Sequence, residues 1–356
     1  MNKERLSRVI ANMTKLGLKQ LLLSDPDSIW YLSGIGYDPG ERLLALYIND
    51  AGEAHLFNNQ MFPQQPQTGL TMHLYDDVDD YMGMVAAVVA DGKLGVDKFM
   101  RAKFLLPLLE KRPGLVPCLG SAAVDEARNL KDAEEIALMR RASAMNDETM
   151  GKVIRHLGDG LTERQMLGLV GETHLALGAD LAFEHIICFG ETTSQPHHVS
   201  GSNKIKPGEP AIFDIYTPRN RYWCDMTRTV FYRSVSERQR EIYNIVREAN
   251  ETAIAAIRPG VPMCEIDGAA RRVIIDAGYG EFFTHRTGHG IGLACHEPPD
   301  CSSSNRSEIV PGMCFSIEPG IYLPGEIGVR IEDLVAVTED GVEVLNHFTK
   351  DLLVVE

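Results

Sequence analysis

The sequence predicts an α/β N-terminal domain followed by an α+β domain built as a pseudo-twofold internal repeat. Three observations carry this expectation. Helix-like stretches alternate with short apolar runs from residue 1 to about 124, a capping box at Asp132-Ala-Glu-Glu135 opens a long periodic helix, and beyond it the chain repeats itself.

The elements follow in order. Met1 to Leu21 carries charges throughout and reads as an amphipathic helix, with no apolar core leading to a cleavage site, so no secretory signal is expected. Gln20–Leu23, Leu43–Ile48 and Leu94–Val96 are the apolar runs expected to form strands. The boundary is placed near residue 125, giving domains 1–124 and 125–356. After the capping box, Ile136, Met139, Ala142 and Met145 recur at helical spacing. An offset of 100 residues then aligns Gly160 with Gly260, Gly178 with Gly278, Phe183 with Phe283, His185 with His285, and Gly190 with Gly290. Each copy begins as a helix, marked by a Thr162-x-x-Gln165 capping box in the first and by Pro262 in the second. Ser236-Glu-Arg-Gln239 caps a further helix running toward Arg258.

The repeat continues as two matching strands. Pro207-Gly-Glu-Pro-Ala-Ile-Phe-Asp214 and Pro311-Gly-Met-Cys-Phe-Ser-Ile-Glu318 each end in a carboxylate, at an offset of 104. A carboxylate closing an apolar strand is expensive to bury alone and needs a partner charge or a metal. Asp225 follows Asp214 across the turn-like segment Thr217–Asn220, and Glu332 follows Glu318 across Pro324-Gly325, so two hairpins would return four carboxylates to one level. So many like charges stay ionised side by side only where cations neutralise them. His289, between Gly288 and Gly290, can add one imidazole to this oxygen-rich set. The expected cofactor is therefore a pair of divalent metal ions that activates water for hydrolysis.

Composition bounds the class. At 356 residues, with 44% hydrophobic and 24% charged residues, the chain reads as a soluble globular protein of two domains. Its net charge of −15 argues against nucleic acid and anionic membranes as partners, and no apolar run reaches the roughly 18 residues of a membrane span. Seven cysteines without CxxC spacing suggest neither disulfides nor a zinc knuckle, which fits a reducing cytoplasm. Cys224, Cys295 and Cys314 read as buried small hydrophobes rather than as ligands.

Over most of 130–356 the chain resembles the pita-bread metallopeptidases, the family of methionine aminopeptidases, Xaa-Pro aminopeptidases and Xaa-Pro dipeptidases (prolidases). The residues that carry the likeness are Pro196-His197, Asp214 with Asp225-Met-Thr-Arg-Thr229, His285-Arg-Thr-Gly-His-Gly-Ile-Gly292 with His296-Glu297, Glu318-Pro-Gly-Ile-Tyr322 and Val329-Arg-Ile-Glu-Asp333. The resemblance implies a creatinase-like N-terminal domain ahead of a pita-bread catalytic domain. It also implies a metal set of Asp214, Asp225, His289, Glu318 and Glu332, with Asp225 and Glu332 bridging the ions. Glu318 would shuttle protons, while His197 and His296 bind substrate and stabilise the tetrahedral intermediate. His285, Tyr322 and Arg330 would support the substrate pocket. The implied substrate is a short proline-containing peptide, the implied assembly a homodimer, and the metal Mn2+, with Co2+, Zn2+ or Fe2+ as alternatives. His198 competes with His197 as a loop histidine, and His185 is expected to serve the fold. Rival readings are a creatinase-like hydrolase or a lyase of small zwitterions, and a catalytically silent peptide-binding module. One departure stands out: Tyr216, two positions after Asp214, stands where relatives carry a small residue, and Trp223, two before Asp225, is also bulky. They either reshape the pocket or fill the sheet face beneath it.

Overall fold

The computed structural model describes residues 1–181 and 185–356 and divides into two compact units, Met1–Arg128 and Asn129–Glu356. Phe183, one of the repeat positions, lies outside the described residues.

In the first unit α1 (Lys3–Lys15), β1 (Gln20–Leu23), α2 (Pro26–Ser33), β2 (Ala45–Asn49), β3 (Ala54–Asn59) and β4 (Thr71–Tyr75) come first. Next are α3 (Tyr81–Val88), β5 (Gly92–Val96), α4 (Ala102–Lys111), β6 (Leu115–Leu119) and α5 (Ala122–Asn129). The alternation produces one mixed sheet in the order β4-β3-β2-β1-β5-β6, where β1, β5 and β6 run parallel and the β1–β2–β3 meander is antiparallel. Helix ends follow local chemistry: Asp25 accepts from the amides of Asp27 and Ser28 ahead of Pro26-led α2, and Gly34 closes it at φ 73°. Residue 125 falls inside α5, so the unit continues to Arg128.

The second unit is two similar halves. The first contains α6 (Ala133–Val153), α7 (Glu163–Ala176), β7 (Ile186–Phe189), β8 (Pro210–Arg219) and β9 (Tyr222–Tyr232). The second opens with α8 (Glu237–Ala256), α9 (Met263–Asp276), β10 (Gly288–Gly290), β11 (Glu297–Cys301) and β12 (Cys314–Ile317). It continues through β13 (Gly320–Leu323), β14 (Ile327–Arg330), β15 (Asp333–Val337) and β16 (Val342–Val344), after which β17 (Val354–Val355) returns to pair with β9 of the first half.

The symmetry shows in the caps. Asp132 and Ser236 form capping boxes with Glu135 and Gln239, and isolated bridges Thr162–Lys204 and Pro262–Glu308 close the equivalent loops. Each half has its own core: Met166, Val170, Ile187, Phe213 and Met226 pack in one, and Ile242, Val246, Ile266, Ile274, Phe315 and Val335 in the other. Helix α8 buries Ile242, Val246, Ala249, Asn250 and Ala253, a spacing that keeps one face on the sheet.

Two expectations about the hairpins need correction. Thr217, Pro218 and Arg219 belong to β8, and the turn is only Asn220-Arg221, both with positive φ (50° and 69°). The Asp180 carboxylate accepts from both turn amides and holds them in this primed geometry. The tighter turn shifts the register, so Asp214 pairs with Thr227 and Asp225 with Tyr216. The two aspartates are diagonal neighbours on one face, not a level pair. In the second half the turn does lie at Pro324–Glu326, between paired Leu323 and Ile327, and Glu318 and Glu332 stand one step beyond the Ile317–Asp333 pair of β12 and β15.

Candidate metal centre

The strand ends of both halves open on one cavity of about 170 Å³. Asp214, Asp225, His289, Glu318 and Glu332 all line it, together with His197, His285, His296, Arg330, Ile186, Pro196, Tyr216, Arg286 and Cys295. Of the residues expected at the site, only Tyr322 stands behind the wall. Its hydroxyl accepts from Arg330 Nη1 at 2.8 Å and lies 2.8 Å from His285 Nε2, so it acts on the cavity through those two side chains.

The carboxylates are held by their surroundings. Arg330 Nη2 donates to Asp214 Oδ2 at 2.7 Å, and Arg330 Nε to Thr227 Oγ1 at 3.1 Å. Thr227 in turn donates to Glu332 Oε2 at 2.7 Å. Ser316 Oγ donates to Glu318 Oε1 and accepts from the His289 amide, both at 3.0 Å. His289 Nε2 points into the set, 3.4 Å from Glu318 Oε1 and 3.9 Å from Asp225 Oδ2, while its Nδ1 faces the Gly290 carbonyl at 3.1 Å. That contact assigns the proton to Nδ1 and leaves Nε2 as a lone-pair donor.

The flanking glycines make this approach possible. A Cβ on Gly288 would sit 1.9 Å from the Ser316 carbonyl oxygen, and one on Gly290 would sit 2.3 Å from that of Pro298. His289 is thereby clasped between β11 and β12, with a bulge at His289/Gly290.

Electrostatics tests whether these groups suit cations. Asp225, Glu332 and Glu318 are held above the ordinary carboxylate range, first by burial; Asp214 adds to this at Asp225, and Asp225 adds to it at Glu332. Burial lowers His289 and His296 to about 4, so both imidazoles are neutral at pH 7. Asp225 Oδ1 is buried with no hydrogen-bond partner. Asp225, His289 and Glu332 each offer an atom within 4.8 Å of the others. Neutral imidazole, crowded carboxylates and an orphaned acceptor form the donor set of a hard or borderline divalent ion, so the residues fit the group.

A model of metallopeptidase family M24 matches residues 137–339, more than half of the chain. The chain belongs to metallopeptidase family M24. The first unit of this M24 chain matches the creatinase/prolidase N-terminal domain over residues 5–129. An uncharacterized peptidase of Staphylococcus aureus strain MSSA476 is 34% identical, over 97% of this chain and 99% of that protein. Among solved structures, a recombinant prolidase from Thermococcus sibiricus superposes with a TM-score of 0.92 at 31% identity, covering 99% of each chain. A dipeptidase from Pyrococcus horikoshii OT3 gives 0.93 at 31% identity, over 98% of this chain and 99% of that one. The second unit of the M24 chain thus has the pita-bread fold. Family M24 enzymes use divalent metals, and a cluster able to hold them is present.

Several neighbours of the M24 site differ from expectation or were missed. His198 turns away to pair with Glu163 at 2.9 Å, while His197 lines the cavity. Cys224 and Cys314 are buried, but Cys295 lines the cavity, its thiol 3.5 Å from Asp225 Oδ2. Tyr216 also faces the cavity, and the Trp223 ring lies tilted beside it with centroids 6.4 Å apart. His185 is buried off the cavity, its Nδ1 accepting from the Tyr216 amide at 3.3 Å. Arg286, inside the glycine-histidine motif, also lines the cavity, and its charge is the only sign of this in the sequence.

Proposed function

We propose that this M24 chain hydrolyses the amide bond preceding proline in dipeptides or short peptides, using two divalent ions held by Asp214, Asp225, His289, Glu318 and Glu332. The observation that carries the reading is the convergence of these five side chains from both halves on one cavity, with Asp225 Oδ1 unpaired. Likeness to a prolidase and a dipeptidase over nearly the whole chain supports the substrate class.

Asp214, Asp225, His289, Glu318 and Glu332 would together hold the ions. When bound, such ions lower the pKa of water and polarise a scissile carbonyl. Glu318, fixed at Oε1 by Ser316, carries the proton from the attacking water to the leaving proline nitrogen. His296 is a neutral N–H donor, and with His197 it faces the carbonyl oxygen as charge develops there. Arg330 holds Asp214 in orientation through its hydrogen bond, and Tyr322 aims His285 at the substrate.

The oxygen-rich set with one imidazole suits Mn2+, with Co2+, Zn2+ or Fe2+ as substitutes. Seven free cysteines agree with a reducing cytoplasm, and a homodimer is expected by analogy with proline-directed relatives. Purified protein stripped with chelator and refilled with each metal should regain hydrolysis of Xaa-Pro dipeptides and lose it again on stripping. Full activity after verified metal removal would sink the mechanism, and a panel extending to longer Xaa-Pro peptides separates dipeptidase from aminopeptidase.

A further inference from the structure

His197 reaches the cavity from an irregular stretch between β7 and β8, and its residue is exposed. Among the described residues its ring has no hydrogen-bond partner, so its place depends on the backbone beneath it. From 197 to 200 exposure alternates: His197 and Val199 are exposed, His198 is half-buried and Ser200 is buried. The two inward positions fasten the segment. Ser200 Oγ accepts from the Ile187 amide and donates to the Ile187 carbonyl, both at 3.0 Å, and His198 Nε2 lies 2.9 Å from Glu163 Oε2.

Glu163 is the first residue of α7, and its side chain is fully buried. Its Oε1 accepts from the Phe189 amide at 2.9 Å and from Thr192 Oγ1 at 2.7 Å. Its Oε2 accepts from the Gly201 amide at 2.8 Å and from His198. Burial alone would raise this carboxyl, yet the donors of Gly201, His198, Thr192 and Phe189 bring it below the ordinary range. An ionised carboxylate only accepts, so His198 donates from Nε2. One side chain thereby ties both ends of the loop, 189–192 and 198–201, to the head of α7. A buried network with its donors and acceptors matched is stiff, which is what a segment carrying an otherwise unheld imidazole requires. The loop is also pinned to β14, where Thr193 Oγ1 accepts from the Gly328 amide at 2.8 Å.

We propose that Glu163 and His198 are positioning residues that brace the loop so that the His197 imidazole meets the substrate in the cavity. The assignment rests on the peptidase reading above, in which His197 faces the scissile carbonyl oxygen. A misplacement of about 1 Å in such a site costs up to about 100-fold in rate.

The test measures Ala-Pro hydrolysis by the metal-loaded wild type, His198→Ala, His198→Gln and Glu163→Gln, with circular dichroism as the check of folding. His198→Ala should lower kcat/KM by about 10- to 100-fold, and His198→Gln, whose side-chain amide can still donate to Glu163, should recover part of the loss. In a His197→Ala background, His198→Ala should cost little more, because the residue it positions is already gone. Wild-type turnover in His198→Ala, or the same loss with and without His197, overturns the proposal. NMR of the zinc-loaded protein with isotope-labelled histidine gives a readout that needs no turnover, the His197 signals being assigned by their disappearance in His197→Ala. They should shift in Glu163→Gln while those of His289 stay in place. Unmoved His197 signals refute the brace. If wild type cleaves no Xaa-Pro peptide, the peptidase reading fails, and the spectra still decide whether Glu163 sets His197.

Discussion

The roles proposed for Glu318 ask one side chain both to lie among ligands and to handle a proton. Burial holds its carboxyl above the usual range, and Ser316 fixes one oxygen, so the group is poised to exchange a proton with little reorganisation. Gln has the same shape without that capacity. Glu318→Gln should therefore keep the wild-type circular dichroism spectrum while kcat falls by about 10²- to 10⁴-fold, the usual worth of a general acid–base. Near-wild-type turnover would remove Glu318 from the role. The carboxylate pattern itself was legible in the sequence, because an acid that ends an apolar strand, and ends it twice, is costly without a cation. Cys295 was not legible, because whether a thiol faces a cavity depends on where the loop before β11 lands, and Arg286 offered only its charge inside the glycine-histidine motif.

Helices α6 and α8 have a part in the site that no period in the sequence announces. Asn250 on α8 donates to the Ile317 carbonyl at 2.8 Å and approaches that of Ile331 at 3.4 Å, the residues just before Glu318 and Glu332. Asn146, its counterpart on α6, donates to the Ile215 carbonyl at 2.8 Å, just after Asp214. Both asparagines are fully buried, and each props backbone next to residues proposed as ligands. Truncation to Asn250→Ala leaves a buried carbonyl unmet at a cost of about 1–3 kcal/mol. It should also weaken metal binding by about 10- to 100-fold, as outer supports of a site commonly do. Urea unfolding and a metal-competition titration measure the two effects, and unaltered metal affinity would show that the helix contributes only to packing. The helices were readable from capping boxes and apolar spacing, as were the glycines beside His289. The hairpin register was not, because the decisive contact is Asp180 with the Asn220-Arg221 turn, remote in sequence.

For the molecule as a whole, acid stability has an identifiable weak point away from the cavity. His174 is fully buried, donates from Nε2 to Asn146 Oδ1 at 2.9 Å, and is lowered by burial from 6.5 to about 4. His185, ring to ring 5.1 Å away, is lowered to about 3. Both stay neutral in the fold, while the unfolded chain protonates them near 6.5. Their contribution is complete above that pH and is withdrawn as pH falls toward about 4, by about 3 kcal/mol for His174 at about 1.4 kcal/mol per pH unit. His174→Gln should flatten the decline of the urea midpoint between pH 6.5 and 4.5. An unchanged slope would place the acid sensitivity elsewhere.

The division of the five proposed ligands between halves has one more consequence. Asp214 and Asp225 hang from the β8–β9 hairpin of one core, and His289, Glu318 and Glu332 from the other. An ion held between them would act as a rivet through two plates, tying the seating of each core to its retention. The rate of metal loss from the loaded protein should then follow any change that loosens either core, however far that change lies from the ion.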